Sequence, residues 1–272
     1  MPAAKNGSIN IAYEVLGDGP PLVMLYGLGG HSRDWWDDFP ALLARRFRLY
    51  MVDNRGTGDS DKPKEPWTLD DMADDALAVV EAAGLEDFHL LGCSLGSMIA
   101  RCFVARHGGE RIRTLSLLCP PNGVQATEED RRAALEWDPN IPPIEAARKS
   151  WKIIHPEPWV AENESLLEKK FEEAQHNPTP PRTFRIQMEA VMQAGDINSA
   201  LSDYDWPLLI LHGDADRLVP PENARTLKEA IPRARLELLP GCSHNMWCHA
   251  PGASAGIVQD FLLAAEAGES AT

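Results

Sequence analysis

The sequence predicts an α/β protein: a mostly parallel central sheet of about eight strands, flanked by helices and interrupted once by a helical insertion. Three observations predict it. Short apolar runs at 22–26, 88–91, 114–119 and 208–212 suit strands buried on both faces. Segments with helical periodicity alternate with these runs at short intervals, as strand–helix–strand crossovers require. Between about Asn122 and Ser202 the strand pattern stops and helical segments opened by prolines replace it. The chain therefore divides into a first core part at 1–121, a helical cap at 122–202 and a second core part at 203–272.

The elements follow in order. Residues 9–16 alternate as a strand does, and Gly17-Asp18-Gly19-Pro20-Pro21 closes it. The apolar run 22–26 ends in Gly27-Leu28-Gly29-Gly30, a flexible loop. Asp34 is expected to cap a helix carrying Trp35, Trp36, Phe39, Leu42 and Leu43. A strand at 47–53 comes next. Thr68-Leu69-Asp70-Asp71 then resembles a capping box, with Met72, Ala76, Val79, Val80 and Ala83 on one helical face and Gly84 as the stop. The strand at 88–91, a helix at 95–105 and the strand at 114–119 complete the first part. In the insertion, Phe184, Met188, Val191 and Met192 share one face of a helix. Strands at 208–212 and 234–239 and helices at 221–231 and 253–264 finish the fold, and the tail at 268–272 is expected to fray.

Composition narrows the function. The chain has 272 residues, 44% of them hydrophobic, ample for a sizeable core. Its 26 basic and 41 acidic side chains leave a net charge of −15, which argues against nucleic acid and anionic membranes as partners. Five cysteines with no C-x-x-C spacing indicate neither a zinc ribbon nor a redox motif, and no metal and no cofactor are expected. They fit free thiols in a reducing compartment. With no apolar leader and no run of about 18 apolar residues, a cytoplasmic location is expected. The sequence is compatible with a homo-oligomer.

The chemistry gathers at Gly92-Cys93-Ser94-Leu95-Gly96. A serine on a sharp strand-to-helix turn has its hydroxyl pushed above the sheet, and its neighbours two positions away must have almost no side chain. The helix that follows aims its N-terminal N–H groups at the place where negative charge develops. A serine nucleophile also needs a base, and the base a carboxylate to hold its tautomer. Two later loops supply them: Gly213-Asp214-Ala215-Asp216-Arg217-Leu218-Val219-Pro220 and Gly241-Cys242-Ser243-His244-Asn245-Met246. Both follow predicted strands, at the sheet edge where such proteins carry their sites.

The order of serine, acidic loop and histidine, with G-x-S-x-G on a strand–turn–helix, resembles the α/β-hydrolase fold family over nearly the whole chain. The loops at 27–30, 53–60 and 212–220 look like family loops. The resemblance implies a triad of Ser94, Asp216 and His244, with Asp214 shaping its turn, and an oxyanion hole from the backbone N–H groups of Leu28 and Leu95. Tyr26 and Cys93 depart from the family's commonest residues at their positions. Within the family the motifs are nearest to enol-lactonase-like, methylesterase-like and perhydrolase-like members. Serine at the turn argues against the haloalkane dehalogenases and epoxide hydrolases, which use aspartate there.

The expected activity is hydrolysis of a carboxylic ester or lactone of a moderately sized, partly apolar small molecule. The alternatives are a C–C bond hydrolase or proline iminopeptidase with the same triad, or a small-molecule receptor on this fold. Tyr26, Gly27, His31, Trp137, Trp151, Trp159, Met188, Met192 and Met246 are expected to line the pocket.

Overall fold

The computed structural model describes residues 1–135 and 140–268. Trp137 and most of the tail expected to fray lie outside the described residues.

Eight strands form one sheet: β1 (Ala3–Asn6), β2 (Ile9–Leu16), β3 (Pro21–Leu25), β4 (Arg48–Val52), β5 (Phe88–Cys93), β6 (Ile112–Leu118), β7 (Leu208–Gly213) and β8 (Arg235–Leu239). Their spatial order is β1-β2-β4-β3-β5-β6-β7-β8. β1 and β2 pair antiparallel, as do β2 and β4, and the pairs from β4 through β8 are parallel. Sequence reading missed β1, a four-residue edge strand with only Ala4 buried along its length. It has too few residues to display a period.

The central strands are buried on both faces, and successive side chains feed two different cores. Val23, Leu25, Leu90, Leu115 and Ile210 pack against α2 (Leu69–Ala82), α3 (Leu95–His107) and α9 (Glu222–Ala230). Leu22, Met24, Leu91, Leu209 and Leu211 face α1 (Asp38–Leu43), α10 (Met246–His249) and α11 (Pro251–Glu266). This is why the strands read as continuous apolar runs. The capping box on α2 forms as expected: Asp71 N donates to Thr68 Oγ1 at 3.2 Å, and Thr68 N donates to Asp71 Oδ2 at 2.8 Å. The expected cap at Asp34 does not form. A short 3-10 turn, Ser32–Trp35, includes Asp34 instead and is capped by His31, and Asp34 Oδ2 accepts from His31 N at 2.8 Å.

Helices α4 (Glu128–Leu135), α5 (Pro143–Ile154), α6 (Glu157–Glu162), α7 (Glu164–Ala174) and α8 (Pro181–Met192) lie between β6 and β7. They have a small core of their own around Trp151, Val160 and Leu167. Arg101 of α3 ties together both ends of this insertion. Its buried guanidinium donates to Pro121 O at 2.6 Å and Asn198 Oδ1 at 2.9 Å, and burial pulls its pKa down to about 10.

Candidate active site

Ser94 stands between β5 and α3 with φ +50, a left-handed conformation that costs a side-chain-bearing residue energy. The turn is held by Ser94 N donating to Leu118 O at 2.8 Å and by the Ser97 hydroxyl donating to Ser94 O at 2.6 Å. Its flanking glycines are a steric necessity. A Cβ on Gly92 would lie 2.2 Å from Gly96 O, and one on Gly96 would lie 2.0 Å from Leu25 O.

The acidic loop leaves β7 and the histidine loop leaves β8. They meet because Gly213 lets the chains approach: a Cβ there would sit 2.3 Å from Cys242 O. Ala215 N donates to Cys242 O at 2.9 Å across the same contact. Asp214 stays exposed and accepts from Gly241 N at 2.6 Å, so its carboxylate serves the turn.

Asp216 is buried and fully engaged. Its Oδ1 accepts from Leu218 N and Val219 N, both at 2.9 Å. Its Oδ2 lies 2.7 Å from His244 Nδ1 and 3.3 Å from His212 Nε2. Burial pushes this carboxyl up, but the charge and hydrogen bond of His244 and the hydrogen bond of His212 outweigh it and hold Asp216 well below the usual carboxylate range. An ionised Asp216 accepts a hydrogen bond from the Nδ1–H of His244, which keeps that proton on Nδ1 and leaves Nε2 as the ring's acceptor. His212 sits beneath, 2.7 Å from Val219 O.

Ser94 and His244 open onto one cavity of about 400 Å³. Tyr26, Gly27 and Met188 line it, and Leu28 and Leu95 border it beside Ser94. A family model described as alpha/beta hydrolase fold matches residues 20–247. The chain belongs to the alpha/beta hydrolase fold family.

Relatives of this hydrolase-fold chain span nearly its whole length. RutD of Azorhizobium caulinodans, named for carbamate hydrolysis, is 32% identical over 243 residues, covering 87% of this chain and 88% of the relative. The pimeloyl-[acyl-carrier protein] methyl ester esterase of Nitrosomonas europaea is 28% identical over 242 residues, covering 86% and 92%. The crystal structure of the esterase RhEst1 from Rhodococcus sp. ECU1013 superposes with a TM-score of 0.82 at 26% identity, covering 96% of this chain and 97% of that one.

Several residues expected in the pocket lie elsewhere. Among the described residues, the cavity wall does not include His31, Trp151, Trp159, Met192 or Met246. His31 is spent on capping the 3-10 turn. Trp151 belongs to the insertion's own core, and Trp159 stacks on His155 with centroids 4.9 Å apart. Met246 is fully buried in the second core, and Met192 at the end of α8 is 73% exposed. The face of α8 that packs down carries Thr183, Ile186, Gln187 and Ala190, while Phe184, Met188 and Val191 look into the cavity. The wall residues that sequence reading missed include Met98, Ile154 and Trp247. Trp247, three positions after His244, was the one with a usable signal. It donates to Tyr26 Oη at 3.3 Å, fixing that ring at the cavity wall.

Among the described residues no helix is long and apolar enough to cross a membrane.

Proposed function

We propose that this chain is a serine hydrolase that cleaves a carboxylic ester or lactone of a moderately sized, partly apolar small molecule. The observation that carries this reading is the 2.7 Å contact from His244 Nδ1 to the buried Asp216 carboxylate, with His244 and Ser94 facing one cavity. In this reading His244 Nε2 takes the Ser94 hydroxyl proton as Oγ attacks the carbonyl. The backbone N–H groups of Leu28 and Leu95 receive the oxyanion, and His244 returns the proton to the departing alcohol. Water, deprotonated by His244, then releases the acid from the acyl-enzyme. The helices at 122–202 serve as the cap that closes the cavity.

A volume of about 400 Å³ fits a drug-sized molecule. The likeness to esterases favours an ester bond, and the likeness to a protein named for carbamate hydrolysis makes a carbamate, attacked in the same way, a second substrate class worth assaying. The deciding experiment labels wild type and Ser94→Ala with a fluorophosphonate and follows hydrolysis of p-nitrophenyl esters of increasing acyl length and of a p-nitrophenyl carbamate. Labelling and turnover confined to wild type support the reading, and the preferred chain length sizes the cavity. Turnover by Ser94→Ala at the wild-type rate, or a wild type that neither labels nor hydrolyses, rejects it.

A further inference from the structure

Gly29 follows Leu28 in the loop after β3, and both polar groups of its backbone are held by the insertion. Its N–H donates to Oε1 of Gln187 on α8 at 2.8 Å, and its carbonyl accepts from Thr179 Oγ1 at 2.7 Å. The Phe184 ring covers the same residue: a Cβ on Gly29 would lie 2.2 Å from Phe184 Cζ, and φ there is +70. Gln187 is completely buried, and its Nε2 has no partner among the described residues. A buried amide with one half unmatched is costly, and an apolar side chain of that size would fill the space at less expense. The hydrogen bond that Gln187 does make goes to Gly29.

The loop itself has little power to fix its own direction. Gly27, Gly29 and Gly30 surround Leu28, and glycine imposes few backbone preferences. Within the loop a single bond, Gly30 N to Gly27 O at 3.3 Å, braces the turn. Oxyanion donors work by being aimed before charge appears.

We infer that Gln187 is a positioning residue for the oxyanion loop: by holding Gly29 N–H it orients the Leu28–Gly29 peptide and, through Leu28, the adjoining N–H that faces the reacting carbonyl. The inference rests on the reading of Ser94 as nucleophile and Leu28 N–H as an oxyanion donor. Its consequence is that docking of α8 and assembly of the oxyanion hole are one event. An insertion that lifts away releases Gly29 and leaves the hole unassembled, so hydrolysis is confined to the closed arrangement.

The test compares wild type with Gln187→Met and Gln187→Glu. Methionine fills the volume without an acceptor, whereas glutamate keeps Oε1 and replaces only the unpartnered Nε2. Four quantities are measured: kcat and KM on a p-nitrophenyl ester, inhibition by an alkyl boronic acid that becomes tetrahedral on the serine, and fluorophosphonate labelling. Gln187→Met is expected to lose roughly ten- to a hundredfold in kcat, less than outright removal of an oxyanion donor. Boronate affinity should fall in parallel while KM stays within about twofold, the pattern of an interaction made in the transition state. Gln187→Glu should recover most of that loss.

An unchanged kcat and boronate affinity in Gln187→Met, or a loss confined to KM, overturns the inference. So does a Gln187→Glu as impaired as Gln187→Met. Should Gln187→Met not fold, Thr179→Val removes the other hold on Gly29 and is expected to show the same split. An active, labelled wild type with insensitive variants rejects this inference alone. A wild type that neither labels nor turns over rejects the hydrolase reading and this inference with it.

Discussion

Ser243 donates its hydroxyl to the carbonyl of Ile153 at 2.9 Å, joining the loop that carries His244 to the C-terminal end of α5. On the other side of His244, Asn245 N donates to Ile154 O at 2.9 Å. The last carbonyls of a helix have no partner within it, so the histidine loop satisfies α5 while α5 fixes the loop. We expect Ser243→Ala to cost about 1 kcal/mol, a fall in Tm of about 2–4 °C for a chain of this size. Because His244 is then less tightly placed, kcat should fall about tenfold. A lower Tm with an unchanged kcat would mean that the junction supports the fold and leaves the chemistry alone.

The two aspartates of the acidic loop separate cleanly by substitution. Asp216→Asn can present an amide N–H to His244 Nδ1, which forces the proton onto Nε2 and removes the base. We expect kcat to fall about ten-thousandfold, as in other triads with that change. Asp214→Asn keeps a carbonyl oxygen for Gly241 N and should leave kcat within about threefold of wild type, since its carboxylate touches only the turn. Equal losses in the two variants would show that the acid has been assigned to the wrong residue.

Gly96 and Gly256 both lie in helices, and alanine distinguishes them. Gly96→Ala drives a methyl group to 2.0 Å from Leu25 O, a backbone atom in the middle of the sheet with no room to retreat. We expect a loss of more than about 4 kcal/mol, seen as insoluble or unfolded protein. Gly256 lies inside α11 with nothing within 4 Å of a built Cβ and without a left-handed φ. Gly256→Ala should therefore stabilise the protein by about 0.5–1 kcal/mol, the helix preference of alanine over glycine. Thermal melts of the two variants decide the matter.

What the sequence disclosed and what it hid have a common cause. Strands buried on both faces, the glycines around Ser94 and the Thr68 cap were legible because each is set by local sterics or a local period. The meeting of Asp216 and His244 was legible only through chain order, since 28 residues separate them. Pocket walls were harder. Apolar residues such as Trp151 and Met246 satisfy the same hydrophobic pattern whether they face a cavity or a core, and here the cores took them. Gln187 was invisible because its one partner, the Gly29 N–H, lies 158 residues away and no period marks it.

Acid should weaken this fold through its buried neutral histidines. His155 of the α5 junction is buried, stacks on Trp159 and lies 3.4 Å from His249, Nδ1 to Nδ1. Burial, with the nearby His249 and His244 rings, pulls the His155 pKa down to about 3, and burial pulls His249 and His89 to about 4. In the unfolded chain each titrates near 6.5. Between those values and 6.5 the unfolded chain binds more protons than the folded one, so stability falls as pH falls through that window. Each such histidine contributes a slope of up to about 1.4 kcal/mol per pH unit. Urea midpoints should drop from pH 7 to pH 5, and His155→Phe, which keeps a ring beside Trp159, should make the drop shallower by about one proton. Comparing the two proteins at each pH removes contributions common to both, including those of Asp34 and Asp75, whose carboxyls burial raises. Parallel lines for wild type and His155→Phe would show that His155 is free to ionise in the folded protein, and the buried neutral ring would have to be given up.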